Sequence, residues 1–363
     1  MKKAIMTSAA MMSVAALVLT GCGKAPEDTQ KTAAGDGKDF KACLVSDAGG
    51  WDDESFNESA YKGLQAAKED LEIQTATAES QAASDFGPNV DNMVQQNCNL
   101  TMGVGFLLED AIEKAAQNNP DMHFGLIDST FADSEGKAVE LDNAKPILFN
   151  TAEAAYLAGY LAADASKTKT VATFGGIKIP SVTVFMDGFA DGVQKYNEEH
   201  QEDVKLLGWN KETQEGAFSG DFENQAQGQK LTEQLISQKA DIIMPVAGPV
   251  GLGAAAAAKE AGDTKIIWVD TDGYESTDYG DIILTSVTKE IAKAVEDTIG
   301  QAVNDSFTAD PYVGTLKNGG VGLAPFHDFD DEIPEETKEE LEQLKDQIIE
   351  GDITVESPNS PKV

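Results

Sequence analysis

The chain has 363 residues and sets 63 acidic side chains against 27 basic ones, a formal net charge of −36. That balance excludes nucleic acid as a partner, because gripping a phosphate backbone takes a basic face. Every basic residue is lysine. Without arginine, the usual bidentate clamp for carboxylate and phosphate, receptors for amino acids, organic acids or nucleotides are disfavoured and a neutral, hydroxyl-rich ligand is easier to hold.

Residues 1–21 read as a bacterial secretory signal: Lys2 and Lys3, an apolar run, then "LTGC". The small residues before Cys22 fit a lipobox. Cleavage there leaves Cys22 as a lipid-modified N-terminus, placing the protein at the extracellular face of the cell membrane, anchored but not spanning it. No later run is apolar and long enough to cross a bilayer. Residues 22–39 are nearly free of large apolar side chains and read as a flexible tether.

From residue 40 the pattern alternates β-rich runs with helical ones. A strand at 41–47 leads to a helix at 55–71 with Tyr61, Leu64 and Ala67 on one face. A strand at 72–78, a helix at 86–97, a strand at 100–106, a helix at 109–119 and a strand at 122–128 follow. A second series starts with a helix at 151–166. Its strands fall at 170–176, 204–209, 241–247 and 265–270, with helices at 181–200, 221–238 and 250–262 between them. A run at 281–289, an Ala-rich helix to about Asn304 and a strand-like 319–326 close it. Such βαβ repetition implies parallel sheets. The expected organisation is α/β, two doubly wound lobes with a multi-crossover hinge: residues 40–150 plus about 287–326 as lobe one, 151–286 as lobe two. Residues 327–363 form an acidic surface helix and tail, with Leu341, Leu344, Ile348 and Ile349 on its apolar side. Cys43 and Cys98 lie in apolar stretches and are either a disulfide or two buried thiols.

Open parallel sheets bind ligands beyond the C-terminal ends of their strands. By position alone, those ends carry Ser46 and Asp47, Gly105 and Phe106, Ile127 and Asp128, Gly175 and Gly176, Ala247 and Gly248, Val269 and Asp270, and Thr285 and Ser286 with Lys289. "DAGGWDDE" lacks the alternating ligands and distal Glu of a calcium loop, and His123, His200 and His327 have no zinc spacing, so no metal is expected. No nucleophile and base stand together, so neither an enzyme nor a cofactor is expected. "GPVGLG" at 248–253 lacks the ending of a phosphate loop, though its backbone N–H groups remain available at a helix start. A binding cleft remains. Carboxylates accept from hydroxyl and N–H groups, and Phe56, Phe106 and Phe185 near strand ends offer faces for a flat ring, unless they only fill the core.

Within this frame, "SDAGGWDDESFNESAYKG", "MGVGFLLEDAIEKAAQNNPDMHFGLID", "FGGIKIPSVTVFMDGFADGV", "IIWVDTDGY" and "LTSVTK" resemble the basic membrane protein family of purine nucleoside receptor lipoproteins. These are substrate-binding proteins of ABC importers with a type I periplasmic-binding-protein fold, and the likeness covers about residues 41–326. The resemblance implies that Asp47 and Asn57 bind ribose, that Phe56 and Phe185 sandwich the base, and that Asp128 reads the purine edge. It implies sugar contacts from Gly248, Asp270 and Lys289, with Asp272 an alternative to Asp270. It implies a monomer that binds guanosine, inosine or adenosine and docks on an ABC permease. Asp52, Asp53 and Glu54 are expected to be a solvated turn and helix cap. The alternatives are a sugar receptor of the same fold and a surface nucleoside sensor or adhesin.

Overall fold

The computed structural model describes residues 37–132 and 137–361. The expected signal peptide, Cys22 and nearly all of the expected tether lie outside them. The first sheet takes β1 (Lys41–Ser46), β2 (Gln74–Ala78), β3 (Leu100–Val104), β4 (His123–Ile127) and β5 (Ala144–Phe149), with α1 (Phe56–Asp70), α2 (Ala83–Gln95) and α3 (Glu109–Asn118) as crossovers. The chain enters the second lobe through α4 (Thr151–Ala165). There follow β6 (Thr170–Gly175), α5 (Pro180–His200), β7 (Lys205–Leu207), a small hairpin of β8 (Trp209–Asn210) and β9 (Glu215–Gly216), α6 (Gln225–Ser237) and β10 (Ile242–Val246). Then come α7 (Val250–Ala261), β11 (Lys265–Asp270), α8 (Gly273–Ser276), β12 (Ile283–Lys289), α9 (Ile291–Val303), β13 (Tyr312–Gly314), β14 (Val321–Leu323) and α10 (Glu335–Glu350).

The sheets run β2-β1-β3-β4-β5-β13 and β7-β6-β10-β11-β12-β14, parallel throughout except that β14 is antiparallel to β12. Strands β3, β5, β6 and β10 are buried along their whole length, as continuous apolar strands must be when helices cover both faces of a parallel sheet. In each sheet the order reverses beside the first strand of the lobe, between β1 and β3 and between β6 and β10. Crevices at such reversals are where doubly wound sheets hold ligands.

The expected lobe boundary needs correcting. All of β12, including Val287–Lys289, and all of β14 belong to the second sheet. Only α9, packed on α1, and β13, paired with β5, return to the first lobe. The reason is pairing: β12 hydrogen-bonds to β11 along its length, so the crossing falls after Lys289. The expected strands did not include β5, the three-residue edge strand β13 or the small hairpin of β8 and β9. Helix α2 starts three residues before the expected Phe86, because Asp85 accepts from the N–H groups of Gln81 and Ala82 and turns the chain there. The acidic C-terminal helix is docked rather than free. Leu341, Leu344 and Ile348 are buried, and Thr337 and Glu340 hydrogen-bond to Asp164 and Tyr160 of α4. Cys43 and Cys98 are joined as a disulfide, with Cα atoms 6.0 Å apart.

Three strands of chain cross between the lobes and are tied together. Asn150 N–H donates to Gly314 O at 2.8 Å and Glu290 N–H to Gly320 O at 3.0 Å. The Glu153 carboxylate accepts from Asn150 Nδ2 (2.8 Å) and Leu316 N–H (2.7 Å). This bonding satisfies the backbone where the chain leaves one sheet for the other.

Candidate functional site

Between the lobes lies a cavity that all eight expected ligand-binding residues line: Asp47, Phe56, Asn57, Asp128, Phe185, Gly248, Asp270 and Lys289. The two reversals in strand order account for much of this. Asp47 follows β1 and its N–H donates to Val104 O at the end of β3. Its carboxylate packs against Gly105, where φ is +114° and a Cβ would stand 1.9 Å from Asp47 Oδ2. Only glycine both adopts that backbone and leaves that space. Burial pushes the Asp47 carboxyl up to about 8, against the pull of the Ala48 N–H, and the nearby Asp53 and Asp128 carboxylates add to the rise.

Phe56 and Asn57 open α1. The cap is Asp53, whose carboxylate accepts from the N–H groups of Ser55 (3.0 Å), Asn57 (2.9 Å) and Glu58 (2.9 Å). The expected solvated turn is therefore only partly right: Asp52 is exposed, whereas Asp53 is buried, lines the cavity and has its carboxyl pushed up to about 6 by burial. Three N–H groups at a helix start are what hold a carboxylate in so dry a place. Asn57 Nδ2 donates to Ala48 O at 2.8 Å, and its buried Oδ1 has no hydrogen-bond partner among the described residues.

Asp128 and Asp270 follow or end β4 and β11 in left-handed conformation, with φ of +65° and +71°. Both carboxylates meet Lys289, the last residue of β12: Nζ lies 2.5 Å from Asp128 Oδ2 and 3.3 Å from Asp270 Oδ1. Asp128 belongs to the first lobe and Asp270 to the second, so the ammonium bridges them. It also lies 4.9 Å from the Phe56 ring centre, 5.1 Å from that of Phe185 and 5.7 Å from that of Phe149, within the range of cation–π attraction. Burial alone would lower the Lys289 pKa, but the two carboxylates outweigh it and hold the ammonium charged. Burial raises Asp128, and Lys289 opposes that rise.

Asp272, the alternative to Asp270, does not line the cavity. It caps α8 through Tyr274 N–H at 3.1 Å and meets His327 Nε2 at 2.7 Å. The glycine-rich turn at 248–253 lines the cavity through Gly248 and Pro249. Its N–H groups at Val250, Gly251 and Leu252 are already spent on Phe222 or Ala247, on Gly248 and on Pro249, so the expected free donors at that helix start are not there. Sequence reasoning missed Phe222, and Ile179 and Ser181 beside the start of α5. None of these stands at a strand end, so strand position carried no signal for them. Among the described residues, no group of three or more side chains is arranged to hold a metal ion, and no helix is long and apolar enough to cross a membrane.

Residues 40–358 match the family described as ABC transporter substrate-binding protein, PnrA-like. The chain belongs to this family. It is 31% identical over 376 residues to the ABC transporter nucleoside-binding protein BmpA of Lactococcus lactis subsp. cremoris, covering 98% of this chain and all of that one. It is 31% identical over 321 residues to basic membrane protein A of Borreliella burgdorferi, covering 87% and 88%. Among solved structures, an ABC transporter solute-binding protein from Aeropyrum pernix superposes with a TM-score of 0.77 at 25% identity, covering 87% of this chain and 92% of that one. The fold is that of type I periplasmic binding proteins.

For a substrate-binding protein of this family, the cavity sets clear chemical terms. One ammonium faces four acidic side chains, Asp47, Asp53, Asp128 and Asp270, of which burial holds Asp47 protonated near neutral pH. An anionic ligand meets uncompensated repulsion there, whereas a ligand rich in O–H and N–H donors finds acceptors. The Phe56 and Phe185 rings come from opposite lobes, so a flat ligand gains both faces only when the lobes meet.

Proposed function

We propose that this protein is the receptor of an ABC importer for purine nucleosides, guanosine, inosine or adenosine, held at the extracellular face of the membrane by a lipid on Cys22. The observation that carries the reading is that Phe56 and Phe185, from opposite lobes, both line a cavity rich in acidic side chains and free of arginine. A purine stacks between the rings while Asp128 accepts from its N–H edge. The ribose hydroxyls donate to Asp47 and Asp270, with Asn57, Gly248 and Lys289 completing the sugar contacts. Hinge closure buries the base and assembles contacts from both lobes, and the closed monomer docks on its permease. The name of the Lactococcus relative supports a nucleoside ligand.

Isothermal titration with guanosine, inosine and adenosine tests this directly. Saturable heat from at least one is expected. Binding of a free sugar, with none of the three nucleosides bound, overturns the reading in favour of a sugar receptor.

A further inference from the structure

Beside the cavity, the lobes also meet along a lip whose residues, Asp270 apart, do not line it. Glu54 sits in left-handed conformation, φ +54°, and three donors of the second lobe reach its carbonyl oxygen: Trp268 Nε1 at 3.3 Å, Thr271 Oγ1 at 3.1 Å and Ser276 Oγ at 3.1 Å. The next residue, Ser55, is fully buried, and its hydroxyl lies 3.0 Å from Asp270 Oδ2 and 3.2 Å from Val269 O. On the same side, Gly49 N–H reaches the Glu223 carboxylate at 3.3 Å.

We propose that the Glu54 carbonyl and the Ser55 hydroxyl, with Trp268, Thr271 and Ser276, form the closure latch that sets how long ligand is retained. The latch is built from neutral groups on a backbone acceptor. A carbonyl has two lone pairs, and the Thr271 and Ser276 hydroxyls stand 3.2 Å apart, so whichever donates to its neighbour leaves the other on Glu54. Each such bond contributes modestly, so the group holds the lobes without locking them. Because the contacts form only when the lobes meet, they act on the escape of ligand and leave its first encounter with an open lobe unchanged. Ser55 is adjacent to Phe56 and bonded to Asp270, which joins the latch to both walls of the cavity.

The inference rests on the nucleoside reading only for the choice of probe. The test replaces Thr271→Val and Ser276→Ala together in the intact chain and follows release of tritiated nucleoside into an excess of unlabelled nucleoside. Thr271 and Ser276 supply one hydrogen bond to Glu54 between them, and its loss predicts dissociation faster by about fivefold, with association unchanged to within about twofold. Unchanged dissociation overturns the latch, as does a change that falls on association instead. If the unsubstituted protein binds none of the three nucleosides, the functional reading fails by itself. The latch is then read by small-angle scattering, in which the double variant has the larger radius of gyration, and equal radii overturn it.

Discussion

Two regions bridge the lobes, and they use opposite chemistry. At the centre, the Lys289 ammonium joins Asp128 to Asp270 inside a ring of phenylalanines. At the lip, hydroxyls and an indole meet the Glu54 carbonyl. Buried charges are expensive unless paired, so the centre tolerates no missing partner, whereas neutral bonds can be lost one at a time. On the proposed function the difference separates two tasks: the centre selects which molecule fits, and the lip sets how long it stays.

The largest expected effect breaks the centre. Lys289→Met leaves Asp128 and Asp270 buried with no cation, which costs about 3–5 kcal/mol. Thermal unfolding should show a melting temperature several degrees lower and titration should show no nucleoside heat. Restoring part of the lost stability with Asp128→Asn in the same chain would establish that the two groups act as one unit, and an unchanged melting temperature for Lys289→Met alone would refute it.

Phe56→Ala should be next. Stacking on one aromatic face is worth about 1–3 kcal/mol per base, so affinity should fall about ten- to hundredfold in calorimetry while stability stays nearly constant, Phe56 being only half-buried. Phe185 is a less clean probe, because it is fully buried as well as facing the cavity, and truncating it also opens a hole in the core. Equal affinity in Phe56→Ala and the parent chain would remove the stacking argument.

The smallest effect is one of pH. Burial holds Asp47 protonated up to about pH 8 without ligand, and ribose hydroxyls donating to it favour the carboxylate. Binding then releases a proton, so affinity rises with pH up to about 8 and levels above it, by at most about tenfold per unit. Stability without ligand runs the other way: the raised folded pKa makes the protein less stable as pH climbs from the ordinary aspartate value of 3.8 toward about 8. Titration in buffers of different ionisation heat measures the proton directly. Affinity that stays flat below pH 8 would show that Asp47 does not change ionisation on binding.

Much of the architecture was readable because buried parallel strands are continuous apolar runs and their ends fall at predictable places. Asp47, Asp128, Gly248, Asp270 and Lys289 stand at such ends and line the cavity. Strand β5 escaped because Lys145 and Pro146 interrupt its apolar run. The Lys145 amine is spent on Asp310 O at 2.6 Å, a contact between residues far apart in sequence. The true lobe boundary escaped for a similar reason, since "DIILTSVTK" reads as a strand but does not say which sheet it joins. The Asp53 cap was half legible: a carboxylate before a helix is a cap signal, but its burial depends on the opposite lobe. The latch was invisible, because a backbone carbonyl has no letter in the sequence.

The indole of Trp268 gives the molecule a built-in optical gauge. Its N–H donates to the Glu54 carbonyl across the lip, so parting the lobes leaves it donating to water and moves the emission to longer wavelength. Trp209 donates instead to Asp187 at 2.9 Å, wholly inside the second lobe, and supplies a constant background. The third indole, Trp51, stacks on Tyr61 in the first lobe, so candidate ligands can be ranked by emission colour on unlabelled Trp51→Phe protein.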